Sequence, residues 1–195
     1  MILPIVGYGD PVLRKEGIEI AKDYPNLQEL IENMFQTMEN ASGVGLAAPQ
    51  IGLAIRLFVI DCSPFGEDED LSEEERNLLK TFRKTFINAK ITKEEGDEWA
   101  FNEGCLSIPN VREEVMRKPI ITIEYFNENF EKFTEVYDGF AARVIQHEYD
   151  HIQGILFTDK ISTLKKKLNA KRLQNIMDGK VHPDYKMKFI NKKGR

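Results

Sequence analysis

The pentapeptide His-Glu-Tyr-Asp-His at residues 147–151 constrains this chain more than any other feature. It fits the pattern H-E-x-x-H, in which two histidines four residues apart share one helix face and can hold one metal ion. Glu148 follows the first histidine, where a carboxylate can handle the protons of a water molecule at the metal. The chain has only 3 histidines, so two of them at this spacing favour a metal site over an ordinary surface helix. The pattern predicts a hydrolytic metal site but does not specify the substrate.

A catalytic metal of this type needs three protein ligands and one open position. Downstream of the pentapeptide, Phe157 stands where the extended protease pattern has its last histidine, and no Glu follows Glu148. His182 and Asp159 remain formally available as ligands. However, a lone histidine in a Gly- and Pro-bounded tail is usually a surface residue, and Asp159 is expected to cap or turn the chain.

An upstream residue is the better third ligand. Cys105 lies in Glu-Gly-Cys-Leu-Ser at residues 103–107, a Gly-containing turn between predicted strands. A thiolate is a strong ligand for zinc or ferrous iron. A buried apolar cysteine is the competing interpretation of this residue alone. Next to a two-histidine helix that lacks a partner, we expect Cys105, His147 and His151 to bind the metal together.

Composition and charge restrict the class of protein. The hydrophobic share of 42% and the charged share of 30% are typical of a globular domain. No stretch approaches the ~20 apolar residues of a membrane span, and the N-terminus does not resemble a secretory signal. Two cysteines cannot form a disulfide framework, so a cytoplasmic protein is expected. Residues 160–195 carry 12 Lys and Arg against 2 Asp, which fits either a solvated helix or a surface for an anionic partner such as RNA.

The order of the expected elements, which is helix, strands, hairpin and helix, predicts an α+β fold of antiparallel sheets packed around a central helix that carries the H-E-x-x-H pattern. The helices are expected at residues 25–40, with Pro25 in the first turn, at 140–152 and at 162–177. Strands are expected at residues 55–60 and 85–91, and a hairpin at 120–126 and 132–137. Residues 43–50 are predicted to be a loop of small residues. The acidic residues 62–81 are expected to form an exposed loop or a short solvated helix without a chemical role.

Three segments resemble, in the same order, the signature motifs of the peptide deformylase family. They are Gly-Val-Gly-Leu-Ala-Ala-Pro-Gln at 43–50, Glu-Gly-Cys-Leu-Ser at 103–107 and Gln-His-Glu-Tyr-Asp-His at 146–151. Tyr-Gly-Asp-Pro-Val-Leu-Arg at 8–14 is similar to the family's N-terminal segment. The resemblance covers residues 1 to about 160, which defines a catalytic domain with residues 62–81 as an acidic insertion. Residues 161–195 then form a basic C-terminal helix and tail.

The resemblance implies removal of the N-formyl group from the formylmethionine of newly synthesised polypeptides, with release of formate. It implies Cys105, His147 and His151 as ligands of one divalent metal ion and Glu148 as general acid and base. Iron(II) would be the physiological metal, with zinc, nickel or cobalt able to replace it. The basic balance of residues 160–195, together with a similar role of the family's C-terminal helix, leads to the hypothesis that the basic tail contacts the ribosome, with a plain solvated helix as the alternative.

Further residues follow from the resemblance and from helical spacing. The Gln50 amide and the Leu106 N–H would face the formyl oxygen, although a Gln at the end of such a loop can also simply cap it. The edge Val44–Gly45 would pair with the substrate backbone, and Arg112 would lie near the peptide or be a plain surface residue. Phe140 and Val144 share the face of His147 and would line the methionine pocket, although core packing explains them nearly as well.

Two other functions compete with deformylation. An H-E-x-x-H protease that cuts internal peptide bonds would use His182 or Asp159 as its third ligand and tolerate loss of Cys105. A non-catalytic metal-binding or RNA-binding module would act through the basic tail and would not need Glu148.

Overall fold

The computed structural model describes residues 1–191 of the chain. Within this range the α-helices are α1 (Leu27–Asn40), α2 (Glu73–Leu79), α3 (Gly139–Ile152) and α4 (Thr163–Met177). Short 3-10 turns lie at Pro11–Arg14, Ala48–Ile51, Ser63–Glu67 and Phe157–Asp159. No helix among the described residues has both the length and the apolar character that crossing a membrane requires.

The strands form one antiparallel sheet and two small ladders. In chain order they are β1 (Ile5–Val6), β2 (Gly45–Ala47), β3 (Leu57–Asp61), β4 (Arg83–Glu95), β5 (Trp99–Cys105), β6 (Ile108–Arg117), β7 (Ile120–Phe126), β8 (Lys132–Tyr137) and β9 (Met187–Lys188). The antiparallel sheet has the order β2-β3-β4-β7-β8, β5 pairs antiparallel with β6, and β1 pairs parallel with β9. Strand β2 therefore lies at one edge of the main sheet.

Helix α3 lies at the centre of the molecule, as predicted. It contacts β2, β3, β4 and β7 of the main sheet, and it also contacts α2. Its buried residues are spread around the helix rather than along one stripe. Ala141 and Ala142 are buried, and such small side chains allow the helix to approach its neighbours closely. The metal-binding pattern is thus held by the best-packed helix, and the predicted α+β fold is confirmed.

The helices and the hairpin lie close to the positions predicted from the sequence, but two local predictions were wrong. Helix α1 begins at Leu27, after Asn26 at φ 53°, so Pro25 precedes the helix instead of occupying its first turn. Residues 43–50 are not a loop, because Gly45–Ala47 pairs with β3 as a strand and Ala48–Ile51 forms a 3-10 turn. A run of small residues lacks the alternation of side chains that indicates a strand, so the strand Gly45–Ala47 depends on its pairing with β3.

The acidic segment contains a short helix, as expected, but it is more than a solvated insertion. Cys62, Gly66 and Leu79 are buried, and Phe65 packs against the main apolar core. Glu75 Oε1 accepts a hydrogen bond of 2.8 Å from the backbone N–H of Phe140, at the start of α3. The segment therefore supports the N-terminal end of the helix that carries the histidines.

The chain after α4 returns to the N-terminal strand. Ile5 N donates to Lys186 O at 2.9 Å, and Gly7 N donates to Lys188 O at 2.8 Å. Val181 packs against the same apolar cluster as Val6 and Leu13. Residues 192–195, the last part of the predicted basic tail, lie outside the described residues.

Candidate metal and catalytic site

Three predicted ligands meet where α3 crosses the end of β5. His147 and His151 lie one turn apart on α3, and Cys105 is the last residue of β5. One ligand atom from each residue lies within 4.8 Å of the others, and Cys105 Sγ is 3.3 Å from His151 Nε2. A thiolate with two imidazoles is a donor set that suits zinc or ferrous iron. These side chains therefore fit a single divalent metal ion.

The surroundings orient the His147 ring and keep the His151 ring uncharged. Burial alone would lower the pKa of His147, but its hydrogen bonds to Cys105 and Glu103 outweigh burial and raise the pKa above its usual value. His147 Nδ1 lies 3.0 Å from Glu103 Oε2, which leaves Nε2 of this ring as the nitrogen that can bind a metal. Burial lowers the pKa of His151 well below its usual value. The His151 ring is therefore neutral, as a metal ligand must be.

A buried network of charges supports His147. Arg117 donates to both oxygens of Glu103, at 2.7 and 2.9 Å, and to Asp150 Oδ2 at 2.6 Å. Arg143 Nη1 donates to Glu103 Oε1 at 3.0 Å. Burial alone would raise the pKa of Glu103, but the hydrogen bonds from Arg117 and His147 outweigh it and hold the pKa well below its usual range. The carboxylate therefore stays ionised and keeps His147 oriented.

Sequence reasoning missed this network, although part of it had a signal. Glu103 and Cys105 are two residues apart on one strand, so their side chains share a face. Asp150 lies inside the pentapeptide, and Arg143 lies four residues before His147, on the same face of α3. The partner that connects them, Arg117, comes from the far end of the β5–β6 hairpin, and no spacing in the sequence indicates it.

Glu148 is buried beside the ligands, with 4% of its surface exposed. Its Oε2 has no hydrogen-bond partner among residues 1–191. Burial raises the pKa of Glu148 to about 7. A Cβ at Gly45 would lie 2.4 Å from Glu148 Oε1, so a glycine is required where β2 passes the carboxylate. The site thus holds a carboxyl group that can exchange a proton near neutral pH.

Gln50 both caps its own turn and faces the cysteine. Its Oε1 accepts from Ala47 N at 2.8 Å, which is the capping role considered from the sequence. Its Nε2 lies 3.5 Å from Cys105 Sγ and 3.4 Å from Ser107 Oγ. The hydrogen bond accepted by the amide oxygen fixes the orientation of the Gln50 side chain, so its N–H₂ group points towards the ligand cluster.

The remaining predicted residues lie along one cleft of about 610 Å³ beside the ligands. Its lining includes the predicted substrate residues Val44, Gly45, Arg112, Phe140 and Val144, together with Gln50, Leu106, His147 and Glu148. Arg112 is exposed and donates from Nη2 to Asn102 O at 2.6 Å. Because β2 is a sheet edge, Val44 and Gly45 border the cleft with backbone that an extended peptide can reach.

The cleft also has walls that the sequence did not predict. Phe65 comes from the acidic segment, with its ring centre 4.4 Å from that of Phe140, and Phe101 lies 5.7 Å from Phe140. Pro183, Asp184 and Tyr185 line the cleft from the C-terminal segment. These contacts join segments that are far apart in the chain, so no local sequence pattern predicts them.

The two alternative third ligands lie elsewhere. The Asp159 carboxylate pairs with Arg14 and accepts from Leu156 N at 2.9 Å, which is the turn-capping role. His182 is exposed. Neither belongs to the group of His, Cys, Asp and Glu side chains that the described residues bring together for a metal ion.

A thiolate and an H-E-x-x-H helix beside a buried carboxyl group and an open cleft define a metal-dependent hydrolase. The model of the family described as polypeptide deformylase matches residues 2–167. The chain therefore belongs to the peptide deformylase family, the hydrolases that remove the N-formyl group from newly made polypeptides.

Relatives and solved structures agree with this assignment. A peptide deformylase of Flavobacterium psychrophilum is 67% identical over 99% of this chain and 100% of its own length. One of Flavobacterium johnsoniae is 68% identical over the full length of both chains. The fold is similar to the crystal structure of a peptide deformylase from Legionella pneumophila, with a TM-score of 0.78 and 34% identity over 92% of this chain and 98% of that one.

Proposed function

We propose that Cys105, His147 and His151 bind one divalent metal ion and that Glu148 moves the proton during deformylation. The observation that carries this proposal is the meeting of three ligand atoms within 4.8 Å beside the buried Glu148. A metal ion bound there supplies Lewis acidity, which lowers the pKa of water and polarises a carbonyl oxygen. The network through Glu103 supports the proposal because it holds His147 in the orientation that ligation needs.

Glu148 is the general base and then the general acid. Its Oε2 has no hydrogen-bond partner within the described residues, so no protein group occupies the lone pairs that would accept a proton. It accepts the proton of that water and returns it to the amine that leaves as the formamide C–N bond breaks. A carboxyl pKa near 7 suits both steps at neutral pH.

Gln50 and Leu106 stabilise the negative charge that develops on the formyl oxygen. The Gln50 amide is held by Ala47 with its N–H₂ group towards Cys105. The backbone N–H of Leu106 follows Cys105 directly, at the wall of the same cleft. One lost donor of this kind costs ~3 kcal/mol of transition-state stabilisation.

The substrate peptide binds along the edge of the main sheet. Val44 and Gly45 lead into β2 and offer backbone groups to an extended chain. Phe140 and Val144 line the cleft beside His147, where an apolar methionine side chain fits. Arg112 stands on the opposite, β6 side and carries the positive charge for a more distal part of the peptide.

Formate release tests the reaction and the role of Glu148 together. The purified protein is expected to release formate from formyl-Met-Ala-Ser and to leave unformylated Met-Ala-Ser-Ala intact. Glu148→Gln keeps the size of the side chain but cannot take up a proton, so we expect kcat to fall by at least about 1,000-fold. Bound metal should remain, because Glu148 is not a ligand. A Glu148→Gln protein with near-normal kcat would rule out this role.

The physiological metal is proposed to be iron(II), with zinc, nickel or cobalt able to replace it. The mixed thiolate and imidazole donor set supports iron and zinc alike. A thiolate on ferrous iron is sensitive to oxygen. Protein purified without oxygen should therefore contain iron and lose activity in air, whereas a zinc enzyme would be indifferent to air.

We propose a cytoplasmic location and contact of the basic C-terminal part with the ribosome. Both cysteines are free thiols, which a reducing compartment preserves. On α4, Lys167 and Lys171 are exposed and the Leu164 and Leu168 side chains are 68% and 73% exposed. Lys167→Glu/Lys171→Glu should weaken co-sedimentation with ribosomes at low salt without changing kcat. Unchanged co-sedimentation would favour a solvated helix.

A further inference from the structure

The segment after α4 forms a wall of the catalytic cleft, and apart from the alternative ligand His182 no predicted site residue lies in it. Pro183, Asp184 and Tyr185 line the cleft together with Gly43, Val44 and Gly45. Pairing of β9 with β1 holds this segment in place. The residues belong to a part of the chain beyond the 2–167 range that the family model matches. This wall is therefore a feature of the C-terminal segment itself.

Tyr185 joins this wall to the turn that follows the cysteine ligand. Its hydroxyl donates a hydrogen bond of 2.7 Å to the backbone carbonyl of Leu106. Its ring is partly buried and, like the Leu106 side chain, packs against the apolar cluster that includes Leu27, Ile31 and Met34 of α1. The phenol is thus fixed at both ends, by apolar packing of the ring and by the bond of its hydroxyl.

The turn 105–107 is held from three sides. Ser107 O accepts from Tyr8 N at 2.8 Å, and Ser107 Oγ lies 3.4 Å from Gln50 Nε2. Tyr185 supplies the third tie, at Leu106 O. The N–H and the C=O of Leu106 belong to two planar peptide groups that meet at its Cα. Once the carbonyl is fixed, the N–H can change direction only through the φ and ψ rotations of Leu106. A fixed carbonyl therefore restricts the direction of the Leu106 N–H.

We propose that Tyr185 is a positioning residue that holds the Leu106 N–H in its orientation towards the formyl oxygen. Tyr185 acts through Leu106 and makes no bond to the reacting atoms. The inference rests on the proposed role of the Leu106 N–H. It assigns the C-terminal segment a part in catalysis, besides any contact that this segment makes with a partner.

The test compares Tyr185→Phe with Tyr185→Ala. Tyr185→Phe keeps the ring and removes one neutral hydrogen bond, so kcat for formyl-Met-Ala-Ser should fall about fivefold while KM stays within about twofold. Tyr185→Ala also removes ring surface from the cleft wall, so KM should rise as well. Tyr24→Phe changes a tyrosine outside this cleft and is the matched control. Metal content and Tm are measured for each protein.

The experiment distinguishes failure of the positioning role of Tyr185 from failure of the proposed deformylation itself. Formate release by the unaltered chain establishes the reaction in the same assay. With that reaction present, a Tyr185→Phe protein with unchanged kcat overturns the positioning role. A fall in kcat that follows loss of metal or a fall in Tm would show a merely structural role and overturn it equally. A lower kcat with full metal content, unchanged Tm and unchanged KM is the result expected.

Discussion

At the residue scale, the site depends on close approach between β2 and α3. Glu148 is buried, and its carboxylate lies where a side chain at Gly45 would project. Such a carboxylate cannot swing aside easily, because burial and packing leave it few alternative rotamers. The carboxylate of Glu148, in the motif at residues 146–151, therefore explains why residue 45, in the motif at residues 43–50, is a glycine. The sequence alone does not show that these two segments are in contact.

Gly45→Ala should impair catalysis more than folding. The added Cβ would meet Glu148 Oε1 at 2.4 Å and Cδ at 2.7 Å, so the carboxylate must move. A displacement of about 1 Å in a catalytic group can cost ~100-fold, and we expect a loss of that order in kcat/KM with metal still bound.

Gly43→Ala is the matched comparison for Gly45→Ala. Its Cβ would meet Leu106 Cδ1 at 2.7 Å, which is the end of a side chain that can rotate away. We expect less than about a tenfold loss of kcat/KM for this variant. Equal losses in the two proteins, measured by steady-state formate release, would contradict the explanation from Glu148.

At the element scale, the N-terminal end of α3 is supported by a side chain from another helix. In the part of the chain that the structure describes, the Asp138 side chain at the helix start makes no capping hydrogen bond. Glu75 of α2 takes its place by accepting from Phe140 N at 2.8 Å. A carboxylate at a helix N-terminus also interacts favourably with the helix dipole. Gly139 adopts φ 54°, and a Cβ there would lie 2.5 Å from Glu75 Oε1, so the glycine makes room for the cap.

Glu75→Ala should therefore destabilise the fold. Loss of this cap is expected to lower the free energy of unfolding by ~1 kcal/mol and Tm by about 2–4 °C. Glu74→Ala removes an exposed carboxylate from the same turn of α2 and should change the free energy of unfolding by less than about 0.5 kcal/mol. Thermal unfolding of both variants tests the capping role of Glu75, and equal Tm values would show that Glu75 does not cap α3.

At the scale of the whole molecule, the cleft is assembled from segments far apart in the chain. The acidic segment supplies Phe65, β2 supplies the edge, β5 supplies Cys105, α3 supplies His147 and Glu148, and the C-terminal segment supplies Tyr185. The ends of the chain are tied together by β1 and β9. Substrate binding thus depends on the completed fold and not on any one motif.

This assembly also explains what the sequence could and could not predict. Local patterns identified α1 by its apolar periodicity, the β7–β8 hairpin by its alternation, and α3 by its histidine spacing and the glycine after it. Cys105 was found through chemistry, since two histidines on a helix require a third donor. Strand β2 was missed because its small residues show no alternation. Phe65, Arg117 and Tyr185 were missed because long-range packing alone brings them to the site.

We propose that Cys105 from β5 completes the metal site of α3. Metal content per chain tests it most directly, measured by elemental analysis after dialysis against a mild chelator. We predict about one metal ion for the unaltered chain and for His182→Ala, and a large loss for Cys105→Ser, because a serine hydroxyl is a far weaker ligand than a thiolate. A Cys105→Ser protein that keeps its metal while His182→Ala loses it would show that His182, and not Cys105, is the third ligand.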